Sequence, residues 1–237
     1  TGESTNLQNT STINNTIINN SISIQTITYT VTPTAAVGGC VGDSQLVVVT
    51  INPFPNITST SADTLCSGGA LNIALTSDTP PSTFTWVAAN NPNITGESTT
   101  TQTTSTINDV LTNISGTPQT VLYSVTPTAT VGGCEGNIQT LNVVVNPTPT
   151  VNAVANQVLC NGFNTTDIIF TGAASGTTYS WTNSNTTIGL AASGTGDILS
   201  FSAFNTGLGA QIGTITVTPS ANGCVGNPIT FTITVNP

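Results

Sequence analysis

The chain has no lysine, no arginine, no histidine and no methionine in 237 residues, and only nine Asp or Glu. Charged residues make up 4 % of it, against about 25 % in ordinary soluble domains. The formal net charge is −9. Without a cation to meet phosphate, direct binding of nucleic acid is excluded, because counterion release needs Lys or Arg. Attraction to anionic lipid fails for the same reason, so no direct membrane contact is expected. Side chains cannot form salt bridges with one another. Polar contacts must be neutral hydrogen bonds from Thr, Ser, Asn, Gln and the backbone. The chain also offers no site to trypsin-like proteases, which suits a surface exposed to the enzymes of other organisms.

Other absences narrow the class further. No apolar run approaches the ~20 residues of a membrane helix, and no basic stretch precedes an apolar one in the manner of a signal peptide. Catalysis is hard to build. Without His, Lys or Arg there is no ordinary general base near neutral pH and no cationic clamp. A carboxylate pair is the remaining acid/base device, but the nine carboxylates are scattered, and Asp43 is replaced by Asn137 and Asn227 in the related segments. No enzyme activity, catalytic residue or cofactor is expected. Calcium loops of the Asp-x-Asp-x-Asp-Gly kind are missing, and transition metals are disfavoured without His. Aromatic residues are scarce at 5 %, which argues against stacking platforms for sugars.

What is present is a repeat. Residues 1–53 and 95–147 align without a gap, and 30 of the 53 positions are identical. Val31-Thr32-Pro33-Thr34 recurs as Val125-Thr126-Pro127-Thr128, and Val37-Gly38-Gly39-Cys40 as Val131-Gly132-Gly133-Cys134. A looser copy holds Val217-Thr218-Pro219 and Gly223-Cys224-Val225-Gly226. A period this long is one whole domain. The expected organisation is the C-terminal part of one module over 1–53, a complete module over 54–147 and another over 148–237. The seams read Asn52-Pro53-Phe54-Pro55 and Asn146-Pro147-Thr148-Pro149. Paired prolines favour extended backbone, so modules are expected to stack end to end as a semi-stiff rod.

Within modules, short runs alternate β-branched or aromatic residues with hydroxyls. Examples are Tyr123-Ser124-Val125-Thr126, Ile215-Thr216-Val217-Thr218 and Thr83-Phe84-Thr85-Trp86. Period-two alternation between Gly, Pro and Asn clusters marks strands. The fold class is therefore all-β, a two-sheet sandwich per module. The order Cys66, Trp86, Cys134, repeated as Cys160, Trp181, Cys224, is similar to that of an immunoglobulin domain. Both tryptophans are read as core anchors.

The five cysteines form two classes. Cys66 and Cys160 sit in Leu-Cys-Ser/Asn-Gly, and Cys40, Cys134 and Cys224 in Gly-Cys-x-Gly. One of each class per module suggests the disulfides Cys66–Cys134 and Cys160–Cys224. Each would close a loop of nearly 70 residues, worth about 4 kcal/mol in the chain-entropy model. Cys40 is left unpaired by truncation and wants a partner upstream of residue 1. Disulfides imply an oxidising compartment.

The order Leu-Cys-Asn-Gly (159–162), Tyr-Ser-Trp (179–181), Gly-Thr-Gly-Asp-Ile (194–198), Ile-Thr-Val-Thr-Pro (215–219), Gly-Cys-Val-Gly-Asn-Pro (223–228) and Phe-Thr-Ile-Thr-Val-Asn-Pro (231–237) resembles the PKD-like repeat of Bacteroidota surface proteins. The resemblance spans 148–237 and weakens over 54–147. The Trp-Asp-Phe-Gly-Asp run of other PKD lineages is absent. Such repeats fill very large gliding-motility adhesins of the SprB type, exported by the type IX system. The resemblance implies an Ig-like β-sandwich, an extracellular cell-surface location, and a structural role in an adhesin or filament stalk. Asp63-Thr64-Leu65 resembles the short O-glycosylation pattern of such secreted proteins, which makes Thr64 a candidate glycan site. Two other readings stand beside the stalk. In one, the chain is a fibre subunit whose incomplete first module takes strands from another copy. In the other, loops at a sandwich tip bind a glycan. Expected partners are neighbouring modules of the same chain and other copies in a filament.

Overall fold

A computed structural model of the chain describes residues 1–79 and 81–237. Over these residues the structure is all-β, with a 3-10 turn at Thr186–Ile188. Residues 25–51 form a hairpin of β1 (Gln25–Val31) and β2 (Gln45–Ile51). A second unit carries β3 (Ala62–Cys66), β4 (Gly69–Ala70), β5 (Ile73–Ala74), β6 (Ser82–Ala88), β7 (Ile94–Thr95), β8 (Thr106–Ile107), β9 (Val110–Asn113), β10 (Gln119–Ala129) and β11 (Gln139–Asn146). A third carries β12 (Gln157–Cys160), β13 (Thr178–Asn183), β14 (Ser193–Thr195), β15 (Gln211–Ala221), β16 (Cys224–Val225) and β17 (Ile229–Asn236).

The main sheet of the second unit runs β3-β11-β10-β6. Its partner layer is built from the short ladders β4-β9-β7 and β5-β8. Alternation decides which face is buried. Val121, Tyr123 and Val125 of β10 and Leu141, Val143 and Val145 of β11 all point into one core, and each is fully buried. Leu111 and Ile107 cover them from the opposite layer. The third unit repeats the plan, with main sheet β12-β17-β15-β13-β14. Ile215, Val217, Phe231, Ile233 and Val235 face a separate core closed by Ile168, Ile188 and Ile198. The two cores share no residue, so each unit has its own apolar driving force.

The first hairpin keeps the register of its copy. Tyr29 lies opposite Val47 and Val31 opposite Gln45, as Tyr123 lies opposite Leu141 and Val125 opposite Gln139. Its apolar face lacks a cover among the described residues. Val31 is 42 % exposed and Val47 39 %, where their counterparts Val125 and Leu141 are at 0 %.

The tryptophans sit in the cores as expected. Trp86 donates from Nε1 to the Thr104 carbonyl at 3.1 Å and tilts against Tyr123 at a ring-centroid distance of 5.8 Å. Trp181 packs over Gly194, where any Cβ would meet the indole ring. Its Nε1 has no partner among the described residues.

The seam as the candidate functional site

The carboxylates serve the fold rather than a cleft. Asp109 is buried and accepts from Ser98 N at 2.8 Å, Ser98 Oγ at 2.7 Å and Tyr123 Oη at 2.8 Å. Burial first, then the hydrogen bond and charge of Asp109, push the Tyr123 phenol above its ordinary range. Tyr179 is raised too, by burial and by the charge of Asp197. Asp78 works against its own partial burial. The Asn56 backbone N–H at 2.8 Å and Asn56 Nδ2 at 2.9 Å hold it below the usual carboxylate value. Asp167 and Asp197 accept from the backbone of Ser200 and Phe170. Among the described residues no group of three His, Cys, Asp or Glu could hold a metal ion. Thr64 is exposed on β3, opposite Val144, and its own N–H is held by Asp63 at 2.7 Å.

One buried polar device recurs three times, and the sequence reading missed it. Asn113 donates from Nδ2 to the Thr117 carbonyl and to the Val145 carbonyl, both at 2.8 Å, and accepts from Ser115 N at 2.8 Å. Asn19 makes the same set with Ser23, Ile51 and Ser21. Asn205 makes it with Gly209, Val235 and Gly207. Each ties a turn to the last strand of its unit. An amide suits this place because it donates twice and accepts at once. Asn19 and Asn113 are aligned and identical, but so are many other positions of the repeat, so identity alone does not single them out.

The geometry with consequence lies at the ends of the units. The last strand of each closes on Asn-Pro, and Pro53, Pro55, Pro147 and Pro149 are all buried, with Phe54 and Thr148 exposed between them. The first leading cysteine sits at this end: Cys66 lies opposite Asn146, and Ser67 N donates to the Asn146 carbonyl at 2.8 Å. The trailing cysteine sits at the other end, in the hairpin that opens the last strand. There Gly132 and Gly133 have positive φ, as do Asn222 and Gly223, which gives the tight turn the chain needs. That hairpin packs on the seam behind it. Gly226 lies so close to the Pro149 carbonyl oxygen that no Cβ would fit, and Gly136 meets the Pro55 carbonyl oxygen in the same way. Asn146 Nδ2 donates to the Asn222 carbonyl at 3.1 Å. Asn52 touches Gly132, the counterpart of Asn222.

This placement corrects the disulfide pairing. The structure joins Cys66 to Cys224, with Cα atoms 5.7 Å apart and a sequence separation of 158. Neither Cys66–Cys134 nor Cys160–Cys224 forms. Cys40, Cys134 and Cys160 are free thiols. The reason is strand length. Cys160 lies opposite Asn236 at the end of β17, and Cys224 precedes its start. An eight-residue strand spans about 27 Å, whereas a disulfide needs Cα atoms within roughly 7 Å. The two cysteines of one unit therefore cannot meet. Those of adjoining units can, because one ends where the next begins.

The PKD-like domain family matches residues 1–55, 63–149 and 157–237. The chain belongs to the PKD-like domain family. This family supplies the fold class already visible in the sheets. No curated protein matches the chain. Among solved structures, the chain is similar to the tandem immunoglobulin domains IG1+IG2 of DIP-gamma, at 10 % identity and a TM-score of 0.38, covering 78 % of this chain and 99 % of that one. It is also similar to immunoglobulin domains 1–4 of Sidekick-1, at 11 % identity and a TM-score of 0.40, covering 89 % and 58 %. A third similarity is to mouse cadherin-23 EC22–24, at 14 % identity and a TM-score of 0.35, covering 77 % and 66 %. Among the described residues no helix is long and apolar enough to cross a membrane.

Proposed function

We propose that this PKD-like chain is a length of stalk in a large extracellular surface protein of the adhesin type, serving gliding or attachment by mechanical reach. The observation that carries the reading is the seam. The same Asn-Pro-x-Pro run with both prolines buried occurs twice, the same glycine-on-carbonyl contact closes both junctions, and a disulfide spans one of them. A joint built this way has little freedom to swing, as a rod-like spacer requires. A surface almost free of charge, with hydroxyls and amides outward, limits non-specific binding, and disulfides suit an oxidising exterior. A glycan on exposed Thr64 would be compatible with that surface.

The second reading, a polymerising fibre subunit, is favoured by the open apolar face of the β1–β2 hairpin. The mass of the native parent chain on a denaturing gel, with and without reductant, separates the two. A species of hundreds of kilodaltons that survives reduction supports the stalk. A band near the 23.9 kDa of this chain refutes it and favours the fibre subunit.

A further inference from the structure

We infer that Cys134 and Cys160 are half-sites of further inter-unit disulfides, each taking a cysteine from an adjoining PKD-like unit. Together with Cys66–Cys224 they lace a repeat array into two interleaved covalent ladders.

The argument rests on equivalence of place. Cys160 stands where Cys66 stands. Each lies opposite the final Asn of its unit, Asn236 or Asn146. Each is followed by a residue whose N–H donates to that carbonyl, Asn161 at 2.9 Å and Ser67 at 2.8 Å. Cys134 stands where Cys224 stands. In each case a hairpin proline ahead of it accepts from the glycine two after it, Pro127 from Gly136 N at 2.8 Å and Pro219 from Gly226 N at 2.9 Å. The sulfur points back toward the turn alike, Cys134 Sγ 4.0 Å from the Gly132 carbonyl and Cys224 Sγ 3.9 Å from that of Asn222. The seam under Cys134 is also the one under Cys224, with Asn52 and Pro55 replacing Asn146 and Pro149. The occupant is thus a PKD-like unit. For Cys160 it is one whose Gly-Cys-x-Gly hairpin seats on Asn236-Pro237. For Cys134 it is one whose leading cysteine lies opposite Asn52.

Each bond forms by losing two protons and two electrons from a pair of thiols. A small-molecule disulfide such as oxidised glutathione accepts them and departs as two thiols. In the resulting register, each leading cysteine joins the trailing cysteine of the next unit. Tension then passes from one disulfide to the next through the segment that runs from Cys134 to Cys160, which carries β11, and the rest of each unit is bypassed.

The inference needs only that PKD-like units follow one another, and not the adhesive role. A stalk with unlinked units would survive its failure. The test is the full chain extended after Pro237 by a second copy of residues 148–237, refolded in a glutathione redox buffer. Free thiols are counted by alkylation, and links are mapped on non-reduced peptic peptides. Cys160 is expected to join the added counterpart of Cys224, so the count stays at the three free thiols of the present chain despite two added cysteines. Cys160→Ser in the extended chain is expected to leave that added counterpart of Cys224 unlinked and open to alkylation. Alkylation of Cys160 while Cys66–Cys224 is intact would overturn the inference. So would a Cys160–Cys224 link, or failure of Cys66–Cys224 itself to form.

Discussion

Pulling on the two ends of this chain should extend only a third of it. Load applied at Thr1 and Pro237 enters along residues 1–66, crosses the Cys66–Cys224 sulfur bridge and leaves along 224–237. The loop between, of sequence separation 158, carries no tension. An extended residue spans roughly 3.5 Å, so the loop conceals about 550 Å of contour. The remaining third of the chain gives about 280 Å. Both apolar cores lie mainly inside the concealed loop. Single-molecule force spectroscopy on the oxidised chain should therefore end at about 280 Å, without the two large steps expected of two sandwiches. Reduction, or Cys66→Ser, should restore both steps and about 550 Å of length. The bond pairing that the sequence suggested gives a different number. Two loops closed within each unit, Cys66 to Cys134 and Cys160 to Cys224, would conceal about 460 Å and leave about 370 Å. A final length of about 370 Å, or one of about 830 Å before reduction, would refute the inter-unit bridge.

Three further outcomes follow from the same contacts. Asn113→Ala removes four side-chain hydrogen bonds from a buried place and leaves the Val145 carbonyl and the Ser115 N–H without their amide partner. A loss of about 3 kcal/mol is expected, read as a fall of about 15 °C in the melting of the second unit, and an unchanged melting temperature would contradict the buried tether. Gly226→Ala sets a methyl against the Pro149 carbonyl oxygen. The third unit should still fold while the seam opens, so alkylation should reach Cys66 and Cys224 in addition to the three free thiols of the parent chain; an unchanged count would show the close approach to be dispensable. Tyr123 keeps its proton in the folded chain above the ordinary tyrosine pKa of about 10, where the unfolded chain loses it. The unfolded state then binds fewer protons, so stability should fall by about 1.4 kcal/mol per pH unit above that point. Tyr123→Phe should flatten the fall, measured by denaturant unfolding across the tyrosine titration range.

The fold was legible because two local signals agreed. Alternation along β10 and β17 fixes a buried face before any partner strand is known, and the repeat of residues 1–53 as 95–147 carries that face along with its turns. The parallel pairing of β3 with β11 was not legible. It depends on where a five-residue strand docks, and its burial pattern has only one half-buried position, Leu65. The buried Asn19, Asn113 and Asn205 were hidden by composition. In a chain so rich in asparagine, no single one stands out until its carbonyl partners across the turn are seen.

The cysteines show what sequence order leaves undetermined. Counting one of each class per module treats the module as the unit of bonding. The physical unit is the end of a strand. Cys66 is fixed by Asn146 and Cys224 by the turn at Asn222 and Gly223, and these meet because Pro147 and Pro149 are buried and hold the following unit against the seam. A chain without side-chain salt bridges has few strong, directional contacts with which to lock such a junction. Neutral hydrogen bonds contribute about 1 kcal/mol each, and the seam has only a few. A covalent bridge where two independent cores adjoin is the contact that load cannot pull apart gradually. Placing it between units rather than within them confines force in the third unit to its last strand, β17, and leaves the rest of that sandwich unloaded.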